Sequence, residues 1–301
     1  MKKIDPEIVI FIASLAVLFS AVFLVPDPSG ASVDGEIAFS YLKQQLSFGP
    51  RTPGSAAHQE FIDWASAELE NNGWDVSLQQ GLYEDKEITN VVAQRSNGKD
   101  DPNTEWILLG AHYDSRINAD SDPVIANRSL PVPGANDGAS GVAVLMALAK
   151  TLPQDLDKDI WLVLFDAEDQ GRIPEWDNWC IGSTMMAQYL EKQEQKPDSV
   201  VIVDMVGDKD LHIYREMNSD DTLTDDIWSV AADLGLSDTF INEPKYAIYD
   251  DHVPFLQIGI PAVDLIDFDY PAWHTLDDDI QNVSAESLNS VRDVLFAWLT
   301  K

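Results

Sequence analysis

Two histidines and a set of carboxylates stand where apolar runs of the chain end. His112 and Asp114 follow "WILLGA", Asp166, Glu168 and Asp169 follow "WLVLF", and Asp204 follows "VVIV". Asp137 lies in the glycine-rich turn "PGANDGASG", just ahead of a helix-like run, and His274 lies in "DYPAWHTLDDDI", after the last strand-like segment. Imidazole nitrogen and carboxylate oxygen drawn from separate segments form a donor set that suits zinc, which is borderline in softness and accepts both. Cys180 is the only cysteine, which excludes an intrachain disulfide and a thiolate-rich metal site. Taken singly, each piece has a plainer meaning. A strand-end aspartate reads as a turn or helix cap, a lone histidine as a satisfied structural residue, and "DDD" as a solvated loop. Their convergence on one edge of one sheet is what favours a site.

That convergence requires a scaffold that brings distant segment ends together. The β-rich runs "ITNVVAQR", "WILLGAHYDS", "DIWLVLFDAED" and "SVVIVDMVGD" are interleaved with the helix-like "GVAVLMALAKTL" and "GSTMMAQYLEK". After them come the acidic helix candidate "LTDDIWSVAADLG", the strand-like "PAVDLIDF" and the terminal amphipathic "SAESLNSVRDVLFAWL". Strands alternating with helices predict an α/β sandwich around a largely parallel sheet. The runs "VSLQQ" and "ITNVVAQR" are expected to form an antiparallel hairpin at its edge, making the sheet mixed. In such sheets ligands bind outside the carboxyl ends of the strands, where these polar residues fall.

Composition agrees with one globular domain: 301 residues, 45% apolar and 24% charged, without repeats or low-complexity linkers. Lys plus Arg number 19 against 52 Asp plus Glu, a formal charge of -33. Nucleic acid and anionic membrane surfaces reward clustered cations and repel carboxylates, so neither is an expected partner.

The N-terminus differs from the rest. Ile8 to Val25 is an uncharged run of 18 residues, which as a helix would span roughly 27 Å, close to a bilayer core. Lys2 and Lys3 precede it and hold the N-terminus on the cytoplasmic side. Residues 1–25 are therefore expected to be a membrane anchor or signal segment, 26–35 a tether and 36–301 the domain that carries the zinc-suited residues. The expected location is the cell membrane, single-pass, with the domain outside the cytoplasm. Small residues at Ser29 and Ala31 would allow cleavage, giving a secreted domain.

The segments "GAHYDS", "PGANDGASGVAVLMALA", "LFDAEDQG", "CIGS", "VDMVGD", "DDHVPF" and "WHTLDDD", in that order, resemble metallopeptidase family 28. This is the zinc-dependent exopeptidase family that contains aminopeptidases and glutaminyl-peptide cyclotransferases. The resemblance runs from "FGPRTPGS" almost to the C-terminus. It implies a three-layer zinc-exopeptidase-like sandwich, a central mixed and mostly parallel sheet with helices on both faces. It further implies peptide or protein N-termini as substrates. Carried over by position, Asp137, Asp169 and His274 would be metal ligands and Glu168 the general acid and base. His112 and Asp204 would hold a second zinc in an aminopeptidase or support the ligands in a cyclase, so that the cyclase takes one Zn2+ and the aminopeptidase two. One departure is that relatives usually carry Glu-Glu where this chain has Glu168-Asp169.

Within the family, the likeness is to bacterial-type glutaminyl cyclases. Trp273 directly before His274 matches their Trp-His pair, and Tyr270-Pro271 resembles their aromatic-proline step. Asp250 in "DDH" stands where they use an acidic partner for the reacting groups, with Asp204 as a further acid. Trp176 and Trp179, followed by Cys180, resemble their tryptophan-bearing segment and with Trp273 and Tyr270 would line a pocket for a neutral glutamine side chain. The implied reaction is closure of N-terminal glutamine to pyroglutamate with loss of ammonia. The alternatives are a zinc aminopeptidase hydrolysing the first peptide bond and a non-catalytic, receptor-like ectodomain on the same fold.

Overall fold

A computed structural model describes residues 33–98 and 103–301. The segment expected to be an anchor or signal lies outside the described residues, as does most of the tether. Among the described residues no helix is long and apolar enough to cross a membrane.

The main sheet has six strands: β1 (Asp75–Tyr83), β2 (Lys86–Arg95), β3 (Glu105–His112), β4 (Lys158–Phe165), β5 (Ser199–Asp204) and β8 (Ala262–Ile266). Their spatial order is β1-β2-β4-β3-β5-β8. β3 runs parallel to β4 and to β5, and β5 runs parallel to β8. β1 and β2 form the expected antiparallel hairpin, and β2 joins the sheet antiparallel to β4. The sheet is therefore mixed and mostly parallel.

Side chains alternate across it with the two-residue period of a strand. Ile107, Leu109 and Ala111 of β3 face one core, together with Val201 and Val203 of β5. That core is covered by α1 (Val33–Ser47), α2 (Ala56–Asn71), α3 (Ser140–Thr151), α5 (Asp221–Asp233) and α7 (Ala285–Thr300). Leu108, Val200 and Ile202 face the opposite core under α4 (Ile181–Glu191) and the short α6 (Val253–Gln257). The result is a three-layer sandwich whose central strands are buried on both sides, which is why they read as nearly continuous apolar runs.

The structure adds elements for which the sequence reading had none, among them the helices α1, α2 and α6 and a second sheet. β6 (Ile213–Arg215) and β7 (Phe240–Pro244) pair in a separate two-stranded parallel sheet. α1 begins at Val33, so the last residues assigned to the tether belong to the first helix of the domain.

Candidate active site

The fold places its strand-end residues in one depression. His112 closes β3, Asp204 closes β5, and Glu168 and Asp169 follow β4 by a short turn. Asp137 precedes α3 in a turn that needs glycine: Gly138 has φ +97°, and a Cβ there would lie 2.3 Å from the Asp114 carbonyl oxygen. His274 lies beyond β8 with φ +58°, a conformation uncommon for a non-glycine residue and here held by its surroundings.

Two buried triads share Asp137. His112, Asp137 and Asp204 offer ligand atoms within 4.8 Å of one another, and so do Asp137, Asp169 and His274. His112 Nε2 is 3.1 Å from Asp137 Oδ1 and 3.0 Å from Asp204 Oδ1. His274 Nε2 is 3.0 Å from Asp169 Oδ1 and 3.8 Å from Asp137 Oδ2. Buried polar atoms are nearly always hydrogen-bonded, yet Asp169 Oδ2 has no hydrogen-bond partner, and His274 Nε2 has only the ion-pair approach of Asp169 Oδ1 without good hydrogen-bond geometry. Nitrogen and oxygen ligand atoms that converge in this way fit a bound zinc ion, and the shorter Asp169 reaches the cluster despite its departure from Glu-Glu.

The charges follow from burial. Burial alone would lower the pKa of the His274 imidazole, but Asp169 and Asp120 outweigh it and raise it to about 9. His112 is likewise carried well above its ordinary value, since Asp204, Asp114 and Asp137 overcome the effect of burial. Burial and the neighbouring Asp137 push Asp169 up to about 6, against the pull of His274 and Arg116. A divalent cation bound here would take the place of the protons these groups hold, so its binding should depend on pH.

Glu168 belongs to a third group, with Cys180 and Asp250, whose ligand atoms also lie within 4.8 Å of one another. Cys180 Sγ donates to Glu168 Oε1 at 3.3 Å. Burial, reinforced by Asp250, raises the Glu168 pKa well above that of an ordinary carboxylate, and Asp250 itself is pushed to about 6 by burial and Asp204. The backbone around this pair is fastened at both ends. Asp114 accepts from the Glu168 N–H at 3.0 Å and the Asp169 N–H at 3.2 Å, while the Cys180 N–H donates to the Glu168 carbonyl at 3.0 Å. Gly182 permits this closeness, because a Cβ there would lie 2.4 Å from Asn90 Oδ1 and 2.5 Å from the Asp166 carbonyl oxygen.

Glu168, Asp137, Asp169, Asp204, Asp250 and His274 all open on a cavity of about 500 Å³. Its aromatic walls include Trp179, Trp273, Phe268, Tyr246 and Tyr249. The Trp273 and His274 rings stack with centroids 3.6 Å apart, and Trp179 lies nearly parallel to His274 at 6.0 Å. His112 lies beside this lining, reached through Asp137 and Asp204.

Three residues named from the sequence point elsewhere. Trp176 is buried against Ile88, Ala167 and Ile173 and stacks on Tyr83 at 5.9 Å, so it does not line the cavity. Tyr270 is also buried behind the wall, its hydroxyl donating to Asp278 Oδ1 at 2.9 Å. Asp166 turns to His58 Nε2 at 2.8 Å and accepts from the Thr89 N–H at 2.8 Å.

Supporting residues not singled out from the sequence come from remote loops. Asp120 Oδ1 is 3.2 Å from His274 Nδ1 and pairs with Arg116, which in turn donates to Asp169 Oδ1 at 3.3 Å. Asp278, rather than the adjacent Asp277, accepts from the Asn136 and Asp137 N–H groups at 2.7 and 3.2 Å. Only Asp278 carried a hint, as part of the acidic run after His274.

The protein is 31% identical to the glutaminyl cyclase of Porphyromonas gingivalis, whose crystal structure superposes with a TM-score of 0.82, covering 88% of this chain and 97% of that one. It is 24% identical to the glutaminyl-peptide cyclotransferase-like protein of Bos taurus, over 83% of this chain and 72% of that protein. It is also 26% identical to aminopeptidase YwaD of Bacillus subtilis, over 89% of this chain but 57% of the aminopeptidase's length. The sequence profile of peptidase family M28 matches residues 90–299, from the second strand of the sheet to the last helix and through every residue of the two triads. The chain belongs to peptidase family M28.

Proposed function

We propose that the protein is a zinc-dependent glutaminyl-peptide cyclotransferase, converting N-terminal glutamine to pyroglutamate with release of ammonia. The observation that carries this reading is the Glu168–Asp250 carboxyl pair facing an aromatic-walled cavity. Ring closure requires a proton to leave the attacking α-amine and a proton to reach the departing amide nitrogen. Two neighbouring buried carboxyls, whose pKa values burial raises, can accept the first and supply the second.

Asp137, Asp169 and His274 would hold the zinc. Zinc supplies electrophilic polarisation of the carbonyl in the glutamine γ-amide. Glu168 takes the amine proton as the new C–N bond of the ring forms, and returns it as the γ-amide C–N bond breaks and ammonia leaves. Asp250 holds the second proton of the pair. Trp179, Trp273 and Phe268 present apolar faces that limit water and hold the flexible glutamine near its own α-amine, where intramolecular attack gains from high effective concentration. In this reading His112 and Asp204 orient Asp137 rather than bind a second ion.

A second reading, a two-zinc aminopeptidase, is favoured by the His112–Asp137–Asp204 triad, which offers a complete second donor set. The discriminating experiment gives zinc-loaded protein a Gln-initiated and a Leu-initiated peptide. The cyclase lowers the mass of the first by the mass of ammonia and leaves the second intact, with one tightly held zinc per protein molecule. Release of free leucine, with the glutamine peptide unchanged and two zincs bound, would establish the aminopeptidase instead.

The proposal includes a tether. The uncharged run Ile8 to Val25, preceded by Lys2 and Lys3, supports a single membrane anchor that places the catalytic domain outside the cytoplasm. A tag at Lys301 should be cleaved by protease added to intact cells, and its protection would refute this placement.

A further inference from the structure

A second cavity, of about 600 Å³, adjoins the catalytic one and shares two of its walls, Trp179 and Tyr249. Its remaining apolar lining comes from the β1–β2 hairpin, through Leu82 and Ile88, and from the start of α4, through Ile181 and Met185. Leu82 is 73% exposed and Tyr249 is 53% exposed. A lone exposed leucine means little, but one set across a concave surface from Ile88, Ile181 and Met185 marks a surface that gains by being covered.

The cavity is built by specific contacts rather than left between loose loops. The hairpin rests on α4 at Gly81, where a Cβ would lie 2.4 Å from Met185 Sδ. Its tip is tied to the tryptophan-bearing loop: Tyr83 stacks on Trp176, and Asn178 Nδ2 donates to the Tyr83 hydroxyl at 3.1 Å. The Lys86 ammonium adds a contact to the same ring, 4.9 Å from the Trp176 centre. Trp176, absent from the catalytic cavity, is thus a strut of its neighbour.

We infer that this second cavity receives an apolar side chain from one of the two residues that follow the N-terminal residue of the substrate. The inference rests on the proposed action at peptide N-termini. When the first residue occupies the catalytic cavity, the remainder of the peptide must leave it, and the second cavity is a neighbour that shares the lining residues Trp179 and Tyr249 with it. Among the lining residues the only charged side chain is Asp177, so the interior rewards uncharged, apolar groups and disfavours acidic ones. Such binding lies away from the reacting bonds and holds ground state and transition state alike, which acts on KM rather than on kcat.

The test compares Gln-amide, Gln-Gly-Gly, Gln-Leu-Gly, Gln-Gly-Leu and Gln-Glu-Gly on the zinc-loaded full-length protein and on its Leu82→Ser variant. Leu82 is exposed and outside the catalytic cavity, so the variant should turn over Gln-amide like the parent. The expected result is a KM about tenfold lower for one leucine peptide than for Gln-Gly-Gly, at similar kcat, with that advantage reduced at least about threefold in Leu82→Ser. Equal KM values for the leucine and glycine peptides in the parent, or a leucine preference unchanged by the substitution, would overturn the inference. Failure of the parent to cyclise Gln-amide would instead overturn the activity on which the inference rests.

Discussion

Glu216 Oε2 lies 3.1 Å from His252 Nε2, with both side chains buried behind the cavity wall. The same carboxylate accepts from the N–H groups of Asn218, Ser219 and Ile248 at 2.9, 2.8 and 2.8 Å. It therefore holds the loop that presents Tyr246, Ile248, Tyr249 and Asp250 to substrate. Burial works against its ionised form, but His252 and the Ile248 N–H prevail and keep its pKa below the ordinary value. Glu216→Gln substitutes an amide for one acceptor and faces a donor towards other donors, which should destabilise the fold by roughly 1–3 kcal/mol. Turnover should fall about tenfold while zinc content is unchanged, because Glu216 touches none of the ligands. Thermal melting, elemental analysis and kcat measure the three effects separately, and a variant with parental kcat would show that the loop is held by other contacts.

Glu168→Gln should retain zinc and fold, since Asp114 fastens this residue through its backbone N–H rather than its side chain. Turnover should fall at least about a hundredfold, the usual scale for a general acid and base. Zinc content and kcat measured on one preparation check this, and parental turnover would remove Glu168 from proton transfer.

Asp278→Ala should weaken zinc binding without touching a ligand. It removes the acceptor for the Asn136 and Asp137 N–H groups and for the Tyr270 hydroxyl, all buried. Supporting carboxylates of this kind commonly contribute 10–100-fold to metal affinity, and a loss of about that size is expected. Competition with a chelator reads it directly. Asp277→Ala, next door but without these contacts, serves as the control and should retain parental affinity.

Asp267 predicts a pH dependence of stability. It accepts from the His212 and Asp269 N–H groups at 2.9 and 3.0 Å, but burial dominates and pushes its pKa from 3.8 to about 6. The folded state therefore binds this proton more tightly than the unfolded state does. The resulting stabilisation is complete below about pH 4 and is lost as pH rises through about 6. Asp267→Asn is neutral throughout, so relative to the parent it should gain on the order of 2 kcal/mol between pH 4 and 7. Melting curves of both proteins across this range test the sign, and a constant difference between them would refute it.

The architecture was legible because its strands and helices carry strong periods. The buried parallel strands β3, β4 and β5 are apolar on both faces, and α3, α4, α5 and α7 coincide with the helix-like runs. β6 escaped notice because it has only three residues, and β7 because its sequence FINEP carries Asn, Glu and Pro and is exposed over its last three residues, so neither presents an apolar run. At the site, the residues that end strands were readable, since a polar residue closing an apolar run is a local signal. Asp120 and Arg116 were not, because their meaning depends on His274 and Asp169, brought near only by folding. Trp176 and Tyr270 failed in the opposite direction. Each stands close in sequence to a site residue, but its ring packs to the far side of the wall, and neighbourhood in the sequence does not set side-chain direction.

Asp137 lends one oxygen to each of two histidines, and this gives the site a hinge of chemical inheritance. Its turn, fastened by Asp278 and opened by Gly138, serves both clusters, whereas His112 and Asp204 lie at the ends of β3 and β5. A change at either strand end therefore removes no member of the Asp137–Asp169–His274 half and reaches it only through the contacts to Asp137. The same division guides directed evolution: libraries confined to the ends of β3 and β5 vary one cluster, whereas any change at Asp137 perturbs both together.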